Sequence, residues 1–185
     1  MAGHGGDVIK ELETDHREVE DLFAQILKST GGHRKSLLDE VTVELVRHSV
    51  AEEAYLYPAV REHVTGGDAM ADREVDDHAR VERLLKEIEG RDADDPELAR
   101  LAATLVDEVT SHIRDEERNL FPALRSACTK ADLEELGNRV RRSKAIAPTR
   151  PHPGAPSSPT ARKVLAPGVG LIDRVRDYVS DRGAA

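Results

Sequence analysis

Four times in this chain a histidine is followed four residues later by a glutamate: His16 and Glu20, His48 and Glu52, His78 and Glu82, His112 and Glu116. On a helix that spacing puts both side chains on one face, roughly 6 Å apart along the axis. Each pair lies on an apolar stripe. Ile9, Leu12, Val19, Phe23 and Ile26 recur at helical steps around His16, and Leu38, Val41 and Leu45 lead into His48, Glu52, Tyr55 and Ala59. Val75, Leu85 and Ile88 accompany His78, with Val81 and Leu84 near the edge; Leu98, Leu101, Leu105, Val109, Leu120 and Ala123 flank His112 and Glu116. Any fold of this chain must bring imidazoles and carboxylates into a helical core.

Glycines and a proline punctuate the stripes. Gly31-Gly32 is expected to end the first helix, Gly66-Gly67 the second and Gly90 the third; Asp95-Pro96 starts the fourth, with Asp95 as cap. Short connections between four long helices predict an all-α, up-down-up-down four-helix bundle. HIRDEERNLFPAL, 112–124, repeats HSVAEEAYLYPAV, 48–60, and DHARVERL, 77–84, repeats DHREVEDL, 15–22. A helical hairpin is thus used twice, which predicts pseudo-symmetry. Pro58 and Pro122 near the ends of the second and fourth helices are expected to kink or terminate them. ADLEELGNRVRR, 131–142, predicts a short fifth helix capped by Thr129. The bundle domain is read as residues 1–143. Residues 144–185 form a Pro-rich linker and then a short amphipathic C-terminal helix with Leu171, Ile172, Val175, Tyr178 and Val179 on one side. That helix reads equally as a frayed tail or as a docking segment, drawn by its positive flank to the acidic bundle or to a protein partner.

Composition narrows the function classes. Aromatics make up 3% of the chain and Trp is absent, against the core of a large β-sandwich, while charged residues make up 34%. Cys128 is the single cysteine, so no internal disulfide or Cys-rich metal cluster can form; beside Ala127 it reads as inert. The N-terminal stretch lacks the basic start and apolar run of a secretion signal, and no apolar run is long enough to span a bilayer, so the expectation is a cytoplasmic protein without a membrane partner. From Arg141 onward nine Lys/Arg face three Asp/Glu, leaving 18 against 33 in the first 140 residues. An acidic body repels phosphate backbones, so nucleic acid is not an expected partner.

A multivalent cation explains the polar residues on the stripes best. Burying imidazoles and carboxylates without a positive partner costs several kcal/mol per ionised group, and the basic residues fall mainly off the stripes. Imidazole with carboxylate suits iron, zinc, copper or manganese, and the absence of thiolates disfavours structural zinc. His16, His48, Glu52, His78, His112 and Glu116 exceed what one tetrahedral zinc accepts. They fit two non-haem iron ions bridged by Glu52, Glu116 and an oxygen atom, with a few coordination positions left for a ligand. Glu20 and Glu82 are further candidates that also read as solvated stripe edges. Tyr55, on the seam after His48, is a pocket-lining candidate or a packing residue. Tyr57 and Phe121 are expected to close the bundle end, Glu53 and Glu117 to support the ligands or face solvent, and His4, His33, His63 and His152 receive no role.

DHREVEDLF, HSVAEEAYLYPAV, DDHARVERLL and HIRDEERNLFPAL, in that order, resemble the hemerythrin family, in particular its HHE cation-binding branch, over about residues 5 to 127. The Pro-rich tail is similar to extensions on actinobacterial members. The resemblance implies a di-iron centre with His16, His48, His78 and His112 as terminal ligands and Glu52 and Glu116 as bridges. Oxygen-carrying hemerythrins have a second His one turn after the third-helix ligand, where this chain has Glu82; they also place an Asp five residues after the last His, where this chain has Glu116 at four. More carboxylates favour ferric iron, which points away from reversible oxygen carriage. The expected function is non-haem iron binding with a small inorganic ligand: dioxygen, nitric oxide or hydrogen peroxide. The alternative is an iron-dependent redox sensor or iron buffer acting through a partner.

Overall fold

The computed structural model describes residues 5–153, Val169 and Asp173, and every regular element among them is helical. In chain order these are α1 (Val8–Ile26), α2 (Gly31–Ala51), a π-helical segment (Glu52–Leu56), α3 (Tyr57–His63), α4 (Gly67–Glu89), α5 (Glu97–Asp115), a second π-helical segment (Glu116–Leu120), α6 (Phe121–Ala127) and α7 (Lys130–Ile146). No helix among the described residues is long and apolar enough to cross a membrane.

The helix ends follow local chemistry. Asp7 caps α1, its carboxylate accepting the Lys10 N–H at 2.9 Å, and the Asp95 carboxylate accepts the Glu97 N–H at 2.8 Å where α5 begins. Helix α1 stops at Ile26, before the Gly pair expected to close it; Gly31, at φ 56°, instead opens α2. Between α3 and α4 a side chain is excluded, because a Cβ on Gly67 would stand 2.1 Å from the Val60 carbonyl oxygen.

Both π-helical segments start at the glutamate of a His-x-x-x-Glu pair on the second or fourth stripe. The Tyr57 N–H bonds the Glu52 carbonyl and the Phe121 N–H bonds the Glu116 carbonyl, one residue further than in an α-helix. Pro58 and Pro122 follow at once. A proline has no N–H to close the preceding α-turn and its ring crowds the carbonyl four residues back, so a widened turn relieves both constraints. The prolines therefore neither break the rods nor end them; α3 and α6 continue to His63 and Ala127.

The core is split. One apolar cluster includes Phe23 and Ile26 of α1, Leu38 and Leu45 of α2, Leu85 and Ile88 of α4, and Leu101 and Leu105 of α5. The other includes Ile9 and Leu12 of α1, Leu56, Val60 of α3, Ala71 of α4 and Leu124 of α6. His16, His48, Glu52, His78, His112 and Glu116 lie between them, all buried. Each fully buried Leu, Ile or Phe contributes about 1.5–3 kcal/mol, so an apolar layer on either side holds the polar belt in place.

The fifth helix is longer than expected and belongs to the body. Thr129 and Asp132 exchange side-chain and backbone hydrogen bonds at its start, and Leu133 and Val140 join the second cluster. It packs along α1 and α2, crossing the start of α1 so closely that a Cβ on Gly137 would lie 2.8 Å from the Gly6 carbonyl oxygen. Beyond it the chain lies against α2 and α4: Ala147 packs on Val50, Arg150 pairs with Glu89 at 2.9 Å, and the His152 N–H donates to Glu82 at 2.9 Å. One oxygen of buried Asp173 accepts the Thr149 and Arg150 N–H groups at 3.2 and 3.1 Å. The Pro-rich stretch 154–168 and the expected amphipathic face of Leu171, Ile172, Val175, Tyr178 and Val179 lie outside the described residues, as does His4.

Candidate metal centre

The four histidines of the stripes turn their Nε2 atoms toward two carboxylates that are fully buried, Glu52 and Glu116. The Glu52 oxygens face His48 Nε2 at 3.1 Å and His78 Nε2 at 3.3 Å. Glu116 Oε2 faces His16 Nε2 at 3.3 Å and His112 Nε2 at 3.6 Å, and the His78 and His112 Nε2 atoms are 3.2 Å apart. With metal–nitrogen and metal–oxygen bonds of roughly 2.0–2.2 Å, two donors on one ion stand about 3 Å apart. Donor atoms of His16, His48, Glu52 and Glu116 lie within 4.8 Å of one another, as do those of Glu52, His78 and His112, and of Glu74, His112 and Glu116. Glu52 and Glu116 each belong to two such groups. The six residues selected from the sequence are thus brought together.

The outer nitrogens are organised too. Nδ1 of His16 lies 2.9 Å from Glu117, that of His48 3.0 Å from Asp15, that of His78 3.2 Å from Glu53 and that of His112 2.9 Å from Glu74. Every imidazole is therefore backed by a carboxylate from another helix or π segment, which fixes the ring and leaves Nε2 as the inward donor. Among the described residues no Lys or Arg pairs with Glu52 or Glu116; the cations stand one layer out, Arg17 on Glu117 and Lys144 on Asp15. His112 Nδ1 and Glu74 Oε2 meet as an ion pair without hydrogen-bond geometry, and the inward-facing His16 Nε2, Glu52 Oε1 and Glu116 Oε2 are buried without a hydrogen bond. Such atoms cost about 1–3 kcal/mol each, a cost a bound cation removes. The residues present fit a metal.

Without a metal the layer balances its charge with protons. Burial would lower His78, but Glu52 and Glu53 outweigh it and push it up to about 10. Burial likewise opposes the rise of His48, which Glu52 and Asp15 carry well above the usual imidazole range. Burial would raise Glu52, yet His48 and His78 hold it well below the usual carboxylate range. Glu74 behaves differently: burial raises it to about 7, with His112 only partly opposing. A metal entering this layer displaces protons from the imidazoles.

Tyr57 completes the layer, where the sequence pattern pointed to Tyr55. Its hydroxyl is 3.1 Å from His78 Nε2, 3.1 Å from Glu116 Oε1 and 3.5 Å from Glu52 Oε2. Burial, Glu116 and Glu52 all keep the phenol protonated. Tyr55 faces away, lining a surface groove with Cys128 and Leu136. Phe121 does not merely close the bundle end; its ring stacks on His16 at 5.7 Å and 8°. Glu20 pairs with Arg17 at 2.9 Å on the surface, and Glu82 accepts the His152 N–H, so neither belongs to a group of converging donors. Glu53 and Glu117 back His78 and His16. Asp15 and Glu74 were missed from sequence. Both precede a histidine of the pattern, by one residue and by four, and nothing in the His-x-x-x-Glu spacing singles them out.

On one side of the layer the four histidines floor a cavity of about 20 Å³ walled by Val19, Leu45, Val81, Val109 and Ile113. That is space for one water-sized molecule.

Against known proteins, the model of the hemerythrin HHE cation-binding domain matches residues 7–124. The chain belongs to that family. An uncharacterised hemerythrin-like protein of Schizosaccharomyces pombe is 26% identical over 168 residues, 89% of this chain and 82% of that relative. A DNA nickase of Nostoc is 29% identical over 135 residues, 72% of this chain but only 38% of the nickase. The crystal structure of a hemerythrin HHE cation-binding domain-containing protein from Mycobacterium kansasii has the same fold, with a TM-score of 0.65 at 23% identity over 75% of this chain and 88% of that one. The hemerythrin HHE domain thus supplies the frame in which these His/Glu groups stand.

Proposed function

We propose that the chain holds two non-haem iron ions, with His16, His48, His78 and His112 as terminal ligands and Glu52 and Glu116 as bridges, and binds or reacts with a small ligand in the adjoining cavity. The observation that carries this reading is the convergence of four inward Nε2 atoms on two fully buried carboxylates, each imidazole backed by its own carboxylate. Iron so held supplies one-electron redox chemistry and affinity for diatomic or peroxide ligands. The chain's own part is to line a small pocket beside the histidines with apolar side chains and to offer the Tyr57 hydroxyl as a hydrogen-bond donor beside Glu116. Dioxygen, nitric oxide and hydrogen peroxide are small enough for a pocket that holds one water-sized molecule. Residues 1–143 carry the ligand set. The order in which successive helices meet the two apolar clusters supports the alternating up-down-up-down path. The acidic body supports a partner other than nucleic acid.

Elemental mass spectrometry with an ultraviolet-visible spectrum, on protein purified without added metal or chelator, tests the reading. Close to two irons per chain with ferric charge-transfer bands is expected, and His112→Ala is expected to lose that loading while keeping its helix content. One zinc per chain, or no metal after iron reconstitution, refutes the di-iron assignment.

A second reading, an iron-dependent sensor or buffer acting through a protein partner, is favoured by one observation. The segment bearing Arg150 and His152 is pinned to Glu89 and Glu82 of α4, one turn and more from His78. Ligand-dependent proteolysis of residues 147–153 would support it, and identical cleavage with and without ligand would not.

A further inference from the structure

The fifth helix reaches the metal layer through one side chain. Lys144, largely buried, pairs with Asp15 Oδ1, while Asp15 Oδ2 holds His48 Nδ1 at 3.0 Å. The same ammonium lies 3.8 Å from buried Glu11, whose other oxygen takes Arg141 at 3.1 Å. On the opposite face of the layer Glu74 backs His112, and among the described residues no Lys or Arg pairs with Glu74. The two faces differ further, since Glu117, which backs His16, is also paired with Arg17. The donors around His16 and His48 therefore have cations behind both of their carboxylates, and only Lys144 of the two cations is shielded from solvent.

A carboxylate on Nδ1 makes an imidazole a stronger donor at Nε2. A cation on the other oxygen withdraws part of that charge. Resting on the two-metal reading above, we propose that Lys144 is a positioning residue that weakens the donor strength of His48 through Asp15, so that the metal position between His16 and His48 binds a divalent cation less tightly than it otherwise would. A helix outside the repeated hairpins thereby acts on one of the two metal positions of this layer. Because Asp15 is buried, this effect is not screened as an exposed ion pair would be.

The test is a two-step Co²⁺ titration of the metal-free full chain at pH 8 against a chromophoric chelator, comparing wild type with Lys144→Met, Lys144→Arg and Arg141→Met. Lys144→Met is expected to tighten one binding step a few-fold, below the roughly 10–100-fold lost on removing a carboxylate partner itself. The other step stays unchanged, and Lys144→Arg restores the wild-type value. Arg141→Met, which removes a tie between α7 and Glu11 without touching Asp15, leaves both steps unchanged. A Lys144→Met variant in which neither step moves, both move together or one loosens overturns the proposal, as does an Arg141→Met variant with the same effect, which would assign the change to helix docking. Wild type that takes up two cobalt ions while Lys144→Met changes nothing overturns this inference alone; wild type that takes up fewer than two overturns the two-metal reading with it.

Discussion

Replacing Tyr57 by Phe removes one oxygen from the centre of the layer and leaves the ring in place. In the metal-free protein the Tyr57 hydroxyl donates to Glu116 Oε1 at 3.1 Å and lies 3.1 Å from Nε2 of His78, whose value is raised to about 10. Tyr57 is 1% exposed, so no water replaces the lost hydroxyl. A hydrogen bond to a charged group contributes about 1.5–3 kcal/mol. For a chain of this size each kcal/mol moves the melting temperature by roughly 2–4 °C, so Tyr57→Phe is expected to melt about 3–12 °C below wild type. Tyr55→Phe is the comparison: its side chain lines the outer groove, away from the buried layer, and is expected to shift the melting temperature less than Tyr57→Phe does. Thermal melts followed by far-ultraviolet circular dichroism, on metal-free protein at pH 7, read both. A Tyr57→Phe variant as stable as wild type, or a Tyr55→Phe variant equally destabilised, would refute the register assigned to the widened turn.

Glu53→Gln and Glu117→Gln, each backing one imidazole, should weaken metal binding by about 10–100-fold in a chelator competition, whereas Glu20→Gln and Glu82→Gln should leave it unchanged. The metal-free protein should lose stability as pH rises from about 6.5, the unfolded imidazole value, through the folded value of about 10 for His78, because the raised value contributes stability only while the ring stays protonated. Glu74 acts in the same direction from its ordinary carboxylate range up to about 7, and Glu52, held low, loses its contribution only as pH falls below the ordinary carboxylate range toward its folded value; melting temperatures measured from pH 4 to 10 read the profile. Gly67→Ala should cost at least about 1–3 kcal/mol in urea denaturation, because its Cβ would meet the Val60 carbonyl at 2.1 Å and that backbone cannot move freely; an unchanged midpoint would show that the α3–α4 turn is laxer than drawn.

The sequence was most legible where the α-helical period holds. The stripes of α1, α2, α4 and α5 predicted the buried faces, and none of the six His and Glu that converge lies beyond the first residue of a widened turn in its own rod. Past Glu52 the period changes: counting in α-helical steps from His48 selects Tyr55, but the extra residue in the turn rotates Tyr57 into the layer instead. Pro58 was the visible signal, read as a kink or a stop. Asp15 was hidden for another reason. Its counterpart in the repeat, Asp77, pairs with Arg80 near the surface, so the repeat gives no reason to favour an aspartate at that position. The contacts of Lys144 and His152 join segments distant in sequence, and no local pattern encodes them.

The backing carboxylates also record how the two hairpins depend on each other. Asp15 and Glu74 serve a histidine within their own hairpin, but Glu53 of the first serves His78 of the second, and Glu117 of the second serves His16 of the first. Glu52 and Glu116 cross in the same way, to His78 and His16. This reciprocal exchange is the pattern of an isologous two-fold interface, in which each partner gives the other the group it receives. A fragment ending near Gly66 would hold two histidines with only one of them backed, and could complete its layer only by pairing with a second copy of itself. The single chain is in this sense a fused dimer of helical hairpins, and α7, bound to the first hairpin, is what tells its halves apart.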